Sequence, residues 1–331
     1  MEMPTSALTG VTLKDMFDAG LHFGHQTKRW NPKMKGYIFD KRNGIHIIDL
    51  QQSVELLDSA AAFLRDTILA GKKALFVATK KQLSEMVKEI AQEIDQFYVT
   101  ERWLGGTLTN AKTLRSSVKR MRQLQATAKA NGGELSEHKQ ENSMLRRELT
   151  KLETNLTGVA DMSEQPGVVV IIDCVKEANA VKEAVRLGIP VIAIVDTNAD
   201  PEPIDYVIPG NDDSVRGVEI ILRGLAKVVK TANDEYGAKA AEENRKREQE
   251  RKERDDAEKA ARAERKAKIA VKPAGGAKRT TKKSSVAANV KAAARAAKEA
   301  AETKAKADLA AKRKAKVAAA EAAAAAAPAA E

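Results

Sequence analysis

Apolar residues recur along the first two thirds of the chain in two rhythms, and these predict its elements. Leu13, Met16 and Phe17 share one face of a helix over residues 12–20, which Gly20 ends. Residues 37–39 and 44–50 read as strands, the second rich in Ile. A longer helix follows over 51–70, with Val54, Leu57, Ala61 and Leu64 on its apolar stripe and Gly71 as its stop. From there short apolar runs over 74–78, 97–100, 168–173, 191–196 and 204–208 alternate with amphipathic stretches over 82–94, 177–187 and 212–229. A strand buried on both faces has no polar side to show, so a run such as Val168-Val169-Val170-Ile171-Ile172 points to a parallel sheet covered by helices. The expected fold is α/β, a Rossmann-like or flavodoxin-like doubly wound parallel sheet.

One interval breaks this alternation. Leu114, Val118, Met121, Leu124 and Ala128 recur at helical spacing, Asn131-Gly132-Gly133 interrupts them, and Leu145, Leu149, Leu152 and Leu156 resume the pattern. Two helices of about 20 residues, each on the order of 30 Å long, predict an inserted antiparallel α-helical coiled-coil hairpin at about 110–158. Beyond Gly237 the apolar periodicity almost vanishes. Residues 242–263 mix Glu, Arg and Lys in a helix-forming composition, and 264–331 are mostly Ala, Lys and Arg. Such a stretch buries too little apolar surface to offset its ordering entropy. The chain therefore divides into an α/β domain over 1–236 and a low-complexity basic extension over 237–331, partly helical and otherwise disordered.

Charge sharpens that division. The whole chain carries 57 Lys+Arg against 46 Asp+Glu, a net +11, but residues 1–236 hold 31 against 32 and residues 237–331 hold 26 against 14. The excess belongs to the extension, so any polyanion binding by the domain must come from local patches. The single cysteine, Cys174, rules out an internal disulfide framework and a four-thiolate zinc site, and suits a reducing cytoplasm. Apolar runs are far shorter than the about 20 residues of a membrane span, and no basic-then-apolar leader is present, so neither a membrane nor secretion is expected.

Local patches do exist. Residues 22–35 combine His22, His25 and Trp30 with Lys28, Arg29, Lys33 and Lys35, and Lys41 and Arg42 follow shortly after. Cations for phosphates, an aromatic for stacking and Gly24 for close approach are what RNA contact demands. As metal ligands, His22 and His25 lack an evident third partner, and no metal is expected. Residues 102–110 follow a strand at the sheet's C-terminal end, where open α/β sheets place ligands. Arg102 and Trp103 could grip and stack there while Gly105-Gly106 offers amides to a phosphate; alternatively Trp103 and Leu104 are core and Asn110 caps the next helix. Lys80 and Lys81 start a helix, where an anion is favoured. Lys112, Arg115 and Lys119 lead the hairpin's basic face, which has ten Lys+Arg and four Asp+Glu over 112–151.

An enzyme reading draws on the same sheet edge. Asp173, Asp196, Asp212 and Asp213 lie after strands, and Asp196 and Asp212 could hold Mg²⁺ or act as a base. Asp212 reads equally as a helix cap, and Asp200 as a turn residue before Pro201. The P-loop and Gly-x-Gly-x-x-Gly signatures are both missing, and no acid, base and nucleophile assemble. No catalytic residue, cofactor or small-molecule substrate is expected.

Several of these segments resemble one family. His22-Phe23-Gly24-His25 with residues 29–34, Asn43-Gly44-Ile45-His46-Ile47-Ile48-Asp49-Leu50, residues 102–110, Gly188-Ile189-Pro190-Val191, Asp196-Thr197-Asn198 and residues 205–213 look like the bacterial form of small-subunit ribosomal protein S-two. The resemblance runs over roughly residues 9–230. It implies a non-enzymatic constituent of the small ribosomal subunit that binds small-subunit ribosomal RNA and neighbouring ribosomal proteins, including the messenger-binding ribosomal protein S-one. The expected RNA contacts are the cations, histidines and Trp residues named above, from His22 to Lys119, together with Asn110. The extension lies outside the pattern.

Overall fold

The apolar strands assort into two sheets in the computed structural model, which describes residues 5–270. In chain order the elements are α1 (Leu13–Asp18), β1 (Phe23–Gln26), a 3-10 turn (Pro32–Tyr37), β2 (Ile38–Arg42), β3 (Ile45–Ile48), α2 (Leu50–Leu69), β4 (Ala74–Val77), α3 (Lys81–Glu93), β5 (Phe97–Val99), α4 (Ala111–Ala130), α5 (Lys139–Leu156), β6 (Val168–Ile172), α6 (Ala178–Leu187), β7 (Val191–Val195), β8 (Tyr206–Pro209) and α7 (Val215–Ala270).

The larger sheet is parallel throughout, in the order β5-β4-β6-β7-β8. Its strands β4, β6 and β7 are buried along their whole length. Side chains alternate across a strand, so each strand feeds two cores. Phe76, Val170 and Ile194 face one core with Leu57 and Leu64 of α2, Val87 of α3 and Leu222 and Leu225 of α7. Leu75, Val77, Val169, Ile171 and Ala193 face the other, with Val181 and Ala184 of α6 and Leu114, Val118 and Met121 of α4. That is the expected α/β sheet with helices on both faces.

A second, antiparallel sheet is ordered β1-β3-β2. Its first strand lies inside the segment the sequence presents as a loop. Phe23-Gly24-His25-Gln26 carries no apolar alternation, so nothing local marks it as a strand; pairing with β3 makes it one. The closing helix also differs from its sequence reading. It begins at Val215, where Ser214 Oγ accepts from Gly217 N, and Asp212 is engaged elsewhere, so Asp212 is not its cap. It continues past residue 229 to Ala270, with exposed ion pairs between Glu242 and Lys246 and between Glu248 and Lys252 substituting for burial.

Between β5 and β6, α4 and α5 are linked through residues 131–138. Leu114, Val118, Met121 and Leu124 form the buried stripe of α4, and Arg120 of α4 reaches Glu148 of α5 at 3.0 Å. The chain forms two units, Met1–Lys252 and Glu253–Glu331. Of the expected low-complexity extension, residues 271–331 lie outside the described residues.

Candidate functional site

The carboxyl ends of the parallel strands bring together polar residues far apart in sequence. Asp173 follows β6, Asp196 follows β7, Asp212 and Asp213 follow β8, and Lys80 follows β4. Lys80 Nζ lies 3.1 Å from Asp173 Oδ2, 2.9 Å from Asp212 Oδ1 and 2.6 Å from Asp213 Oδ1. Burial acts to discharge this ammonium, but hydrogen bonds to Asp213 and Asp212 outweigh it and hold its pKa above the ordinary value. Burial of Asp212, whose side chain is 2% exposed, pushes that carboxyl up to about 6.

The antiparallel sheet docks on this edge through β1. His25 Nδ1 lies 2.9 Å from Asp196 Oδ2, and this hydrogen bond raises the imidazole pKa against the opposing effect of burial. His25 N donates to Thr197 Oγ1 at 2.9 Å, and Asn31 N to Thr197 O at 2.8 Å. The approach is so close that a Cβ on Gly24 would sit 2.6 Å from Thr197 Cγ2, which accounts for glycine there. Lys33 is tied to Asp200 at 2.9 Å and also to Glu202.

This crevice is where open α/β sheets place ligands, yet the chain's own groups fill it. Lys80, expected to meet an external anion, is enclosed by three internal carboxylates, whereas Lys81 is exposed at the start of α3. Donor atoms of His25, Asp212 and Asp213 all lie within 4.8 Å of one another, so a third potential metal ligand does approach His25. Lys80 shares both carboxylates and supplies the cation there. His22 takes no part. It precedes β1, and its ring stacks on Phe17 with centroids 4.3 Å apart.

The segment 102–110 takes a different form from an open phosphate cradle. Trp103 is buried, and its Nε1 donates to Glu183 Oε1 at 3.1 Å. The same oxygen accepts from Gly106 N at 2.7 Å, and Oε2 accepts from Leu108 N at 3.1 Å and Thr109 N at 3.2 Å. Burial pushes the Glu183 carboxyl up, but these donors together hold it below the usual carboxylate value. Trp103 therefore belongs to the core and not to a stacking surface, and the turn amides already have their anion. Asn110 caps α4 as expected, its Oδ1 accepting from Thr113 N at 3.4 Å. Glu183 leaves no local sign in the sequence, being a single acid on an amphipathic helix.

The remaining cations face outward in groups. Lys28, Arg29, Lys33, Lys35, Lys41 and Arg42 are exposed on and beside the antiparallel sheet, with Trp30 half-buried and its ring 5.1 Å from that of His46. Arg102, Lys112, Arg115 and Lys119 are exposed along the 102–110 segment and α4; Arg115 also donates to Ser163 O. Along α5, Lys139, Arg146, Arg147 and Lys151 line one shallow surface that is not among the expected contacts. Their spacing by seven, one and four is helical, but any solvated helix can carry such a row, so the pattern alone does not single them out.

On the far face of the antiparallel sheet lies an apolar groove of about 600 Å³. Phe17, Phe23 and Phe39 line it beside Leu13, Ile45 and Ile47, and the three rings are 55%, 50% and 76% exposed. No helix among the described residues is long and apolar enough to cross a membrane.

A family model described as Ribosomal protein S2 matches residues 16–232. The chain is similar to the small ribosomal subunit protein uS2 of Solibacter usitatus, 49% identical over 222 residues that cover 67% of this chain and 73% of the relative. It is also similar to the protein of that name from Treponema pallidum strain Nichols, 48% identical over 232 residues, covering 70% and 79%.

Proposed function

Since this chain belongs to the ribosomal protein S2 family and is a structural component of the small ribosomal subunit, we infer that its outward cations dock on small-subunit ribosomal RNA in the cytoplasm. One observation carries this reading. The sheet edge that would serve a small-molecule site is closed by Lys80, His25 and their carboxylates, while the cations at 28–42 and 102–119 stand exposed. Phosphate contacts position a protein on folded RNA, and exposed Lys and Arg supply them. Helices α4 and α5 act as an antiparallel coiled-coil projection whose basic faces extend the RNA surface, with Lys112, Arg115 and Lys119 on one helix. Residues 237–331 add diffuse phosphate affinity.

The groove beneath Phe17, Phe23 and Phe39 suits a different partner. Three large exposed apolar side chains on one small sheet favour burial against protein. A neighbouring ribosomal protein docks there in this reading, and the messenger-binding ribosomal protein S-one, a partner that the family resemblance implies, is the occupant we propose for it.

A salt titration of binding to small-subunit ribosomal RNA tests the RNA reading. Combined charge reversal at Lys28, Arg29 and Lys35 should weaken binding and flatten its dependence on log salt by roughly 0.7 to 0.9 for each phosphate no longer neutralised. An unchanged slope would remove that surface from the interface. Deleting residues 237–331 should flatten the slope further; no change would mean that the extension neutralises no phosphate.

A further inference from the structure

We infer that Glu183 is the positioning residue of the RNA-contacting segment formed by residues 102–110 and the first turns of α4; this rests on the RNA reading above.

Buried Trp103 and Leu108 and the turn bonds from Thr107 N to Leu104 O and Asn110 N to Gly106 O hold parts of the segment, and one side chain, Glu183, ties these parts together. Gly106 adopts φ +89°, a left-handed conformation that other residues rarely take, and Gly105 is exposed. Two adjacent glycines carry more backbone freedom than any other pair, so their shape must be imposed from outside. Glu183 imposes it. Its carboxylate gathers Trp103 Nε1, the backbone N–H groups of Gly106, Leu108 and Thr109, and the Thr109 hydroxyl at 3.2 Å. Charge-assisted bonds of this kind are shorter and roughly twice as strong as neutral ones.

The anchor itself is rigid. Glu183 lies within α6, whose Val181 and Ala184 are packed in the core against the parallel sheet. The carboxylate thus transmits the position of the sheet to the segment. What it orients is the outward set: Arg102 and Thr109 are exposed, and Asn110 caps the helix that presents Lys112, Arg115 and Lys119. Turn amides that could receive an RNA phosphate receive an internal carboxylate instead. The segment is therefore preorganised to present cations and does not itself cradle a phosphate.

Glu183→Gln in the full chain tests this. Glutamine keeps the shape but turns an amide NH₂ toward backbone donors, so half the clasp opens. In a Trp30→Phe background the indole N–H signal of Trp103 reports that opening directly. The expected result is a displaced Trp103 signal, affinity for small-subunit ribosomal RNA lowered about tenfold, and a flatter salt slope for the folded protein. The penalty of Lys112→Glu with Lys119→Glu should also be smaller in the Glu183→Gln chain than in the parent. A purely structural role would reduce the folded fraction and leave the slope of the folded protein unchanged, and that outcome overturns the inference. So does unaltered affinity with a displaced Trp103 signal. Should Glu183→Gln not fold, Thr109→Val removes a donor from the same carboxylate and is read in the same way, while Trp103→Phe removes the indole donor and is read by affinity and salt slope alone. If Lys112→Glu with Lys119→Glu has no effect in the parent chain, it is the RNA reading of α4 that fails.

Discussion

At the scale of single residues, Lys80 and His25 carry the electrostatics of the sheet edge. Replacing Lys80 with Met retains much of its volume but leaves Asp173 and Asp212 buried without their cation. Removing one partner of such a group costs about 3 kcal/mol, so Lys80→Met should lower stability by about that amount in chemical denaturation; a change within about 0.5 kcal/mol, typical of a surface substitution, would mean the carboxylates are solvated. The pH dependence has a definite sign. His25 is raised above its ordinary value by Asp196, so its stabilising share is complete below about pH 6.5 and fades as pH rises through the folded value. Asp212, at about 6 in the folded chain against an ordinary 3.8, acts in the same sense at lower pH. Stability should therefore decline as pH rises from 3.8 to about 6 through Asp212 and go on declining above about 6.5 as His25 loses its proton, and His25→Gln should remove that upper part of the decline. Identical profiles for the two proteins would show that the Asp196 contact contributes nothing. The sequence places these acids and Lys80 after strands at one sheet edge, but not their pairing with one another; it takes the parallel stacking of β4, β6, β7 and β8 to bring them into contact.

At the scale of elements, legibility follows the source of each element's stability. The strands of the parallel sheet and the buried stripes of α2 and α4 announce themselves because apolar burial drives them, and burial leaves a periodic trace. Strand β1 leaves none, since it is held by pairing with β3 and by polar contacts to Thr197. The continuation of α7 leaves a trace only in the helix-forming Glu, Arg and Lys composition of residues 242–263, as its exposed Glu and Lys pairs stabilise a helix without an apolar face. The apolar groove belongs to this scale too, because Phe17, Phe23 and Phe39 come from three elements. With ribosomal protein S-one as the groove's proposed occupant, Phe23→Ser with Phe39→Ser should weaken its binding at least tenfold by titration calorimetry, since each buried aromatic anchor is worth about 2 kcal/mol. Unaltered affinity would place that partner elsewhere. The fold itself should be little affected, because both rings are at least half exposed.

At the scale of the whole molecule, the net charge of +11 is a poor guide to the domain, whose residues 1–236 are close to neutral. What matters is placement: cations on and beside the antiparallel sheet, along α4 and along α5, with Asp173, Asp196 and Asp212 drawn inward at the sheet edge near Lys80. In the proposed reading these local patches make the RNA contacts, and such binding weakens steeply with salt. The most direct test is sucrose-gradient sedimentation of a cell lysate, following this protein across the fractions. At low salt it should travel with the small ribosomal subunit, and raising the salt should move it progressively to the top of the gradient. Its absence from the small-subunit fractions at low salt would contradict the account.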